Sequence, residues 1–256
     1  MRERAVALGV RFENVSRIDG RKTDNPRIVL DDVSVDFPAD RSTGILCTQA
    51  ASLTTVVRLV TGATMPTRGI VSRDCTVSFP LAYGGAVSRN LTGLQNLQFL
   101  ARIYGADVEE VTDFVADFGG LRSVLKQRTS TYKGDNWARF LMAISYALPF
   151  DMYVSDGRLV AGSPSFREKC KAYVQNLRKS SGMIIATAQP TVIRQYCDRV
   201  YVLDGHKLIP FEKIGDGIRY FAPLRAAYIA GHEPGHIADE GNFEEEYDLE
   251  DFNDQI

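Results

Sequence analysis

Alternation of apolar and polar residues marks the first third of the chain as mostly β-structure. Residues 52–61 break that pattern, because they have helical spacing and are followed by Gly62, a residue typical of a helix C-cap. The strands predicted from the alternation are residues 6–15, 27–37, 44–47 and 69–79. Since these strands follow one another with a single helix between them, we expect an antiparallel β part.

Helical periodicity dominates the middle of the chain. The first helix there is predicted to open on a capping box, in which Thr92 and Gln95 satisfy each other's backbone N–H groups. In the second half, strands alternate with helices, an order typical of a parallel sheet. Helices are predicted over 92–104, 108–118, 136–148, 164–178, 191–196 and 218–229, and strands over 151–156, 183–187 and in a hairpin over 199–209. The predicted fold class is α/β, with a parallel core.

Charge is small overall but unevenly distributed. The chain has 30 basic and 32 acidic residues, which gives a net charge of −2 at pH 7. Arg225 is the last basic residue, and the stretch after it holds ten of the acidic residues. The first 225 residues therefore carry an excess of positive charge. Residues 231–256 also lack a core pattern, so we expect a flexible acidic tail there.

The distribution of histidine and cysteine excludes several kinds of site. All three histidines, His206, His232 and His236, lie beyond residue 205, so no imidazole serves chemistry in the first 205 residues. The four cysteines are scattered without a CxxC pair, which favours reduced, buried thiols over a zinc site. No stretch approaches the roughly 18 apolar residues of a membrane helix, so we expect a cytoplasmic protein.

Two segments of the helical middle carry a family resemblance. Residues 91–96 (LTGLQN) and 101–105 (ARIYG) resemble the LTGxEN and ARLYG segments of ABC-transporter nucleotide-binding domains, in particular those that export bacterial capsule polysaccharide and O-antigen chains. Residues 166–169, 195–198 and 202–205 extend the match to about residues 10–220. The resemblance implies an ABC ATPase-like P-loop fold over residues 5–230, with a helical subdomain at about 90–148 and the tail at 231–256.

The same resemblance places the phosphate loop at residues 47–55, where the motif is degenerate. A P-loop needs glycines whose backbone N–H groups curl around the phosphates, and a lysine that reaches them. Here Cys47 replaces the first glycine, Ser52 the glycine before the lysine, and Leu53 the lysine. Only the hydroxyls of Thr54 and Thr55 remain, so the stretch favours an ordinary strand–turn–helix connection over an unusual working P-loop.

Other nucleotide positions have changed as well. Asp156 keeps the place of the magnesium aspartate, but Gly157 replaces the glutamate that activates water. We expect Asp156 to cap a turn or to hold a metal weakly. The switch histidine maps to Ala188, and the Q-loop glutamine maps near Ser88.

The signature motif, which completes the neighbour's site in an ABC dimer, reads YKGDN at residues 132–136. Lys133 replaces its serine and Asp135 its glycine. A carboxylate about 4 Å from a γ-phosphate would cost about 1–4 kcal/mol, whereas Asp135 suits the N-terminus of a solvated helix. The degenerate cofactor positions are thus Ser52, Leu53, Thr54, Thr55, Asp156, Lys133 and Asp135. We predict no catalytic residue, no metal site, and weak ATP or magnesium binding at most.

The acidic tail contains a motif that imitates a zinc peptidase. Residues 232–236 read HEPGH, which matches HExxH, but the central proline and glycine break the helix that the motif requires. We expect a loop with two histidines. Phe243, Tyr247 and Phe252 lie among acidic residues, as in a short recognition segment, although an uninterpreted tail fits equally.

Three functions remain open. The first is a non-hydrolysing, membrane-peripheral ABC subunit beneath a polysaccharide-export permease at the inner membrane. It would contact the permease through a groove near helix 92–104 and form a dimer with itself or with a second ATPase. The second is a scaffold or regulator of envelope polysaccharide assembly, whose acidic tail binds a basic partner. The third is a divergent active ATPase. No motif supports nucleic-acid binding.

Overall fold

The computed structural model describes residues 8–21 and 25–231. Its strands are β1 (Gly9–Asp19), β2 (Arg27–Pro38), β3 (Ser42–Leu46), β4 (Arg68–Arg73), β5 (Val77–Pro80), β6 (Met152–Ser155), β7 (Gly182–Thr187), β8 (Arg199–Asp204) and β9 (Lys207–Phe211). Its α-helices are α1 (Ala50–Thr61), α2 (Gly93–Ile103), α3 (Val108–Phe118), α4 (Asp135–Ala147), α5 (Pro164–Leu177), α6 (Pro190–Tyr196) and α7 (Ile214–Ala230). None of the described helices combines the length and the apolar character needed to cross a membrane.

The strands form two sheets. The larger has the order β5-β6-β7-β3-β8-β9, in which β9 alone runs antiparallel to its neighbour. The smaller is antiparallel, with the order β2-β1-β4. Helices α2, α3 and α4 follow one another between β5 and β6. The predicted architecture of a parallel core, an antiparallel β part and a helical part is thus confirmed.

The prediction of one strand over residues 69–79 is wrong. β4 ends at Arg73 and pairs with β1 in the smaller sheet, whereas β5 begins at Val77 and pairs with β6 in the larger one. The chain changes sheets between them, where Thr76 donates from both its N–H and its hydroxyl to the Asp151 carboxylate, at 2.8 and 2.7 Å. These bonds tie the start of β5 to the start of β6.

Two apolar layers cover the faces of the larger sheet. One contains residues of α1 and of the antiparallel sheet, with Phe12, Phe37 and Leu59 fully buried. The other contains residues of α2, α3, α4 and α5, with Phe140 fully buried. The domain and tail boundaries predicted above stay predictions, and residues 232–256 lie outside the described residues.

Helix ends agree with their predicted caps. Gly62 ends α1 with a φ of 82°, and the capping box of Thr92 and Gln95 is present at the start of α2. A Cβ on Gly93 would lie 2.3 Å from the hydroxyl oxygen of Tyr132, so glycine permits the close contact between α2 and the segment before α4. These contacts fix α2 relative to the signature segment.

Candidate functional site

The carboxyl ends of β3, β6 and β7 meet at Thr187. Leu46 pairs with Thr187 across the sheet, and the N–H of Cys47 donates to the Thr187 carbonyl at 3.3 Å. A Cβ on Gly157 would lie 2.9 Å from the Thr187 hydroxyl. The structure therefore brings the phosphate-loop stretch, the acidic strand end and Ala188 to one edge of the sheet. In open α/β sheets this edge is where ligands bind.

The phosphate-loop stretch is mostly helix. α1 begins at Ala50, three residues before Leu53. The N–H groups of Ser52 and Leu53 both donate to the carbonyl of Gln49, at 3.1 Å each. In a phosphate loop, backbone N–H groups at such positions face the ligand. Here two of these N–H groups are already bonded within the first helical turn, so they are not available to a ligand.

The side chains of this stretch are also occupied within the chain. Leu53 is 7% exposed and lies in the apolar layer between α1 and the sheets. The Ser52 hydroxyl donates to the side-chain oxygen of Gln49 at 3.3 Å, and that of Thr54 donates to the Ala50 carbonyl at 3.2 Å. Burial raises the pKa of the Cys47 thiol to about 11, so this thiol is protonated at neutral pH. The hydroxyls of Ser52 and Thr54 thus bond within the chain.

A cluster around Asp19 adjoins this stretch and was not predicted from the sequence. The Asp19 carboxylate accepts a hydrogen bond from the hydroxyl of Thr55 and contacts Arg17 and Arg27 at 2.8 and 3.1 Å. Burial by itself would raise the pKa of Asp19, but the bonds from Thr55, Arg17 and Arg27 outweigh it, and the pKa lies below its usual value. The cluster ties the end of β1 to α1.

Asp156 is paired with a neighbouring cation. Arg158 contacts its carboxylate through two guanidinium nitrogens, at 3.1 and 2.8 Å, and the backbone N–H of Arg158 lies 3.4 Å from the same carboxylate. The Asp156 side chain is 17% exposed. A carboxylate held in this way caps its own turn and has its charge offset by a guanidinium. A cation would have to displace Arg158 to bind it.

Gly157 has a backbone conformation that disfavours glutamate. Its φ is +96°, a value that residues other than glycine rarely adopt. The contact with Thr187 adds a steric restriction to this torsional one. The backbone at position 157 therefore disfavours the glutamate that the family resemblance places there.

The signature positions also bond within their own chain. Asp135 lies in the first turn of α4, where its carboxylate accepts from the N–H of Ser163 and pairs with Arg139 one turn later. Burial would raise the pKa of Asp135, but its bonds to Ser163 and Arg139 outweigh that effect and lower it. Lys133 is exposed. Asp135 thus joins α4 to the segment that leads into α5.

The Q-loop position is held by a retained family residue. Asn96 is buried, and its side chain accepts from the Ser88 N–H at 2.8 Å and donates to the Ser88 carbonyl at 3.0 Å. Thr129 donates to the same carbonyl at 2.9 Å. The backbone of Ser88 is thereby fixed beside α2, although the family's glutamine is absent.

Curated relatives place the chain in a family. It is 33% identical over 198 residues to the capsule polysaccharide export ATP-binding protein CtrD of Neisseria meningitidis, a match that covers 77% of this chain and 92% of the relative. The chain belongs to the ABC-transporter ATP-binding proteins of capsule polysaccharide export. BexA of Haemophilus influenzae, an ATP-binding protein, is 32% identical over 195 residues, covering 76% of this chain and 90% of BexA.

Solved structures agree on the fold of this capsule-export family member. An ATP-binding subunit of an ABC transporter superposes with a TM-score of 0.66 and 16% identity, covering 85% of this chain and 94% of the other. A dimeric bacterial ABC transporter cassette superposes with a TM-score of 0.63 and 14% identity, covering 78% and 96%. No family model matches the chain. The ABC ATPase fold expected from the sequence resemblance is therefore confirmed.

The sequence alone could have indicated the charged partners of Asp156 and Asp135, but not that of Thr55. Arg158 follows Asp156 by two residues, and Arg139 follows Asp135 by one helical turn, a spacing that pairs side chains. Asp19 lies 36 residues before Thr55, and nothing local to either residue predicts their contact.

The Asp19 cluster gives the first testable prediction. Replacing Asp19→Asn should lower the free energy of unfolding by about 2 kcal/mol at pH 7, because two guanidinium groups lose their shared carboxylate. Since the pKa of Asp19 is lowered by folding, its contribution is present above the ordinary carboxyl value of about 3.9 and is lost as pH falls through the folded value. Urea unfolding should therefore show the two proteins converging below about pH 4.

The matched control for that measurement is Asp36→Asn. Asp36 is 68% exposed and also pairs with an arginine, Arg11. Its replacement should change the stability by less than about 0.5 kcal/mol. Equal losses for Asp19→Asn and Asp36→Asn, or a gap that does not change with pH, would contradict the role given to Asp19.

Restoring the family's glutamate should destabilise the protein. We expect Gly157→Glu to lower the free energy of unfolding by about 2–3 kcal/mol, because it combines a strained φ with the contact to Thr187. Gly105→Glu is the control, since Gly105 has a φ of +66° but a Cβ there would meet no described atom within 4 Å. It should lose only about 1 kcal/mol. Similar losses at both positions in urea unfolding would show that Thr187 imposes no restriction.

Proposed function

We propose that this capsule-export family member is a non-hydrolysing ABC subunit that acts as a structural or regulatory partner of a membrane permease. The observation that carries the proposal is that the polar groups at its degenerate nucleotide positions bond to other residues of the same chain. Ser52, Thr55, Asp156 and Asp135 each have such a partner. In an ATP site, the Thr55 hydroxyl and the Asp156 carboxylate would face the ligand instead.

Reversion of single residues would not recreate an ATP site of the usual kind. A lysine at position 53 would place its stem in the apolar layer where Leu53 lies, and the N–H groups beside it would still bond to Gln49. A magnesium ion would compete with Arg158 for Asp156. Nucleotide binding and hydrolysis are therefore proposed to be absent, or weak at most.

A second ATPase subunit would gain little from this chain. In the dimer that the family resemblance implies, the signature segment completes the neighbour's ATP site. Asp135 would bring a carboxylate there, and its bonds to Ser163 and Arg139 direct it onto its own chain. A dimer, whether with a second copy or with another ATPase, is thus proposed as a structural pairing.

The contact with the permease is proposed to lie on the exposed face of α2, defined here by Leu91, Gln95, Gln98, Phe99, Arg102 and Ile103. Phe99 is 55% exposed and Ile103 is 58% exposed. The capping box and Asn96 hold the helix and the preceding loop in place. Exposed apolar side chains on a well-fixed helix are typical of a surface that binds another protein. The chain would then work at the cytoplasmic face of the inner membrane.

Co-purification with a co-expressed export permease tests this proposal. Capture should be equal in Mg-ATP and after enzymatic removal of nucleotide, because no ATP-driven step is involved. The double variant Phe99→Gln, Ile103→Gln should weaken capture about tenfold, since two apolar side chains lose burial worth about 1.4 kcal/mol together. Ile70→Gln is the control, because Ile70 is 62% exposed but lies on β4.

Two results would contradict the proposal. Capture that requires ATP, or measurable turnover that is lost on Asp156→Ala, would support the divergent active ATPase instead. The scaffold in envelope polysaccharide assembly would be favoured by two findings together: no permease captures the chain, and a soluble basic partner binds its acidic tail.

A further inference from the structure

The exposed face of α2 lies within and beside segments that carry basic residues and no acidic ones. Residues 75–106 and 118–134 contain no aspartate or glutamate. The two segments lie side by side, because Thr129 and Ser130 donate backbone bonds to the carbonyls of Leu91 and Arg89, at 2.9 and 3.0 Å. Their exposed cations are Arg89, Arg102, Arg122, Lys126, Arg128 and Lys133, of which Arg122 pairs with Asp113 and Asp117 of α3. The face therefore combines apolar side chains with positive charge.

The end of the same chain has the complementary composition. Residues 232–256 contain ten acidic and no basic residues, with Phe243, Tyr247 and Phe252 among them. Aromatic side chains fit an exposed apolar face, and carboxylates fit its cationic border. The sequence thus supplies an occupant with both properties that the α2 face requires.

The tail is long enough to reach this face. The 25 residues after Gly231 span up to about 80 Å when extended. Phe243 and Phe252, 12 and 21 residues after Gly231, can lie up to about 40 and 70 Å from it, against a radius of gyration of about 17 Å for a domain of this size.

We propose that residues 239–256 bind the exposed face of α2 in the same molecule. Phe243, Tyr247 and Phe252 would contact Phe99 and Ile103, and the acidic residues would lie near the surrounding cations. The tail would then compete with a permease for this face. That competition rests on the proposed function, whereas the contact between tail and α2 does not.

Tethering makes even a weak contact effective. A linked segment has an effective concentration on the order of 1 mM, so an intrinsic Kd of about 0.1 mM would protect the face about tenfold. Dissociation would remain easy, which suits a segment that a permease must displace.

Labelling of a single cysteine tests the proposal in the full chain. The reporter is Gln98→Cys, which keeps Phe99 and Ile103, and Cys75→Ser removes the one native cysteine that is not buried. Maleimide should react about tenfold more slowly in the chain with its native tail than in one with Phe243→Ser, Tyr247→Ser and Phe252→Ser. Protection should fall in about 0.5 M NaCl, because salt screens exposed charges. The control reporter Ile70→Cys should react alike in both chains.

Equal labelling of Gln98→Cys with the native and the altered tail would overturn the proposal. Protection that grows with protein concentration would do so too, because it would assign the contact to a second copy. The assay contains neither permease nor nucleotide. A failure of the proposed function would therefore leave the labelling result unchanged, and the two failures are distinguishable.

Discussion

The start of α1 must satisfy its backbone N–H groups, and the rest of the site depends on how it does so. A helix leaves its first N–H groups without partners inside the helix, and a bound phosphate is one way to supply them. Here the helix begins early, and the Gln49 carbonyl accepts from Ser52 and Leu53. Leu53 consequently lies in the apolar layer, where a phosphate-binding lysine would not be stable.

Substitutions elsewhere in the site follow the same logic. Each carboxylate at a degenerate nucleotide position has a cation of its own chain beside it, Arg158 at Asp156 and Arg139 at Asp135. Family residues outside the ATP chemistry keep structural contacts, such as the bonds that the Asp198 carboxylate accepts from the N–H of Ser42 at the start of β3 and from Arg178. This pattern supports the proposal of a fold kept for its surfaces and not for nucleotide chemistry.

Local patterns in the sequence predicted the helices well, because their ends are set by residues close in sequence, such as Thr92, Gln95 and Gly62. They predicted residues 69–79 wrongly, since two strands with continuous alternation belong to different sheets, and periodicity carries no information about partners. The Asp19 cluster was missed for a related reason: its contacts join β1 to α1 across the fold. The resemblance located the degenerate positions, but only the structure shows which residues of the same chain their polar groups bond to.

The central claim is that this ABC fold no longer has a working ATP site, and a calorimetric titration with Mg-ATP tests it most directly. A capsule-export relative named as an ATP-binding protein, such as CtrD, serves as the positive control. The account predicts no saturable heat for this chain up to about 1 mM ATP. Saturable binding in the micromolar range would contradict it, because it would mean that the hydrogen bonds made by Gln49, Arg158 and Thr55 open for the nucleotide.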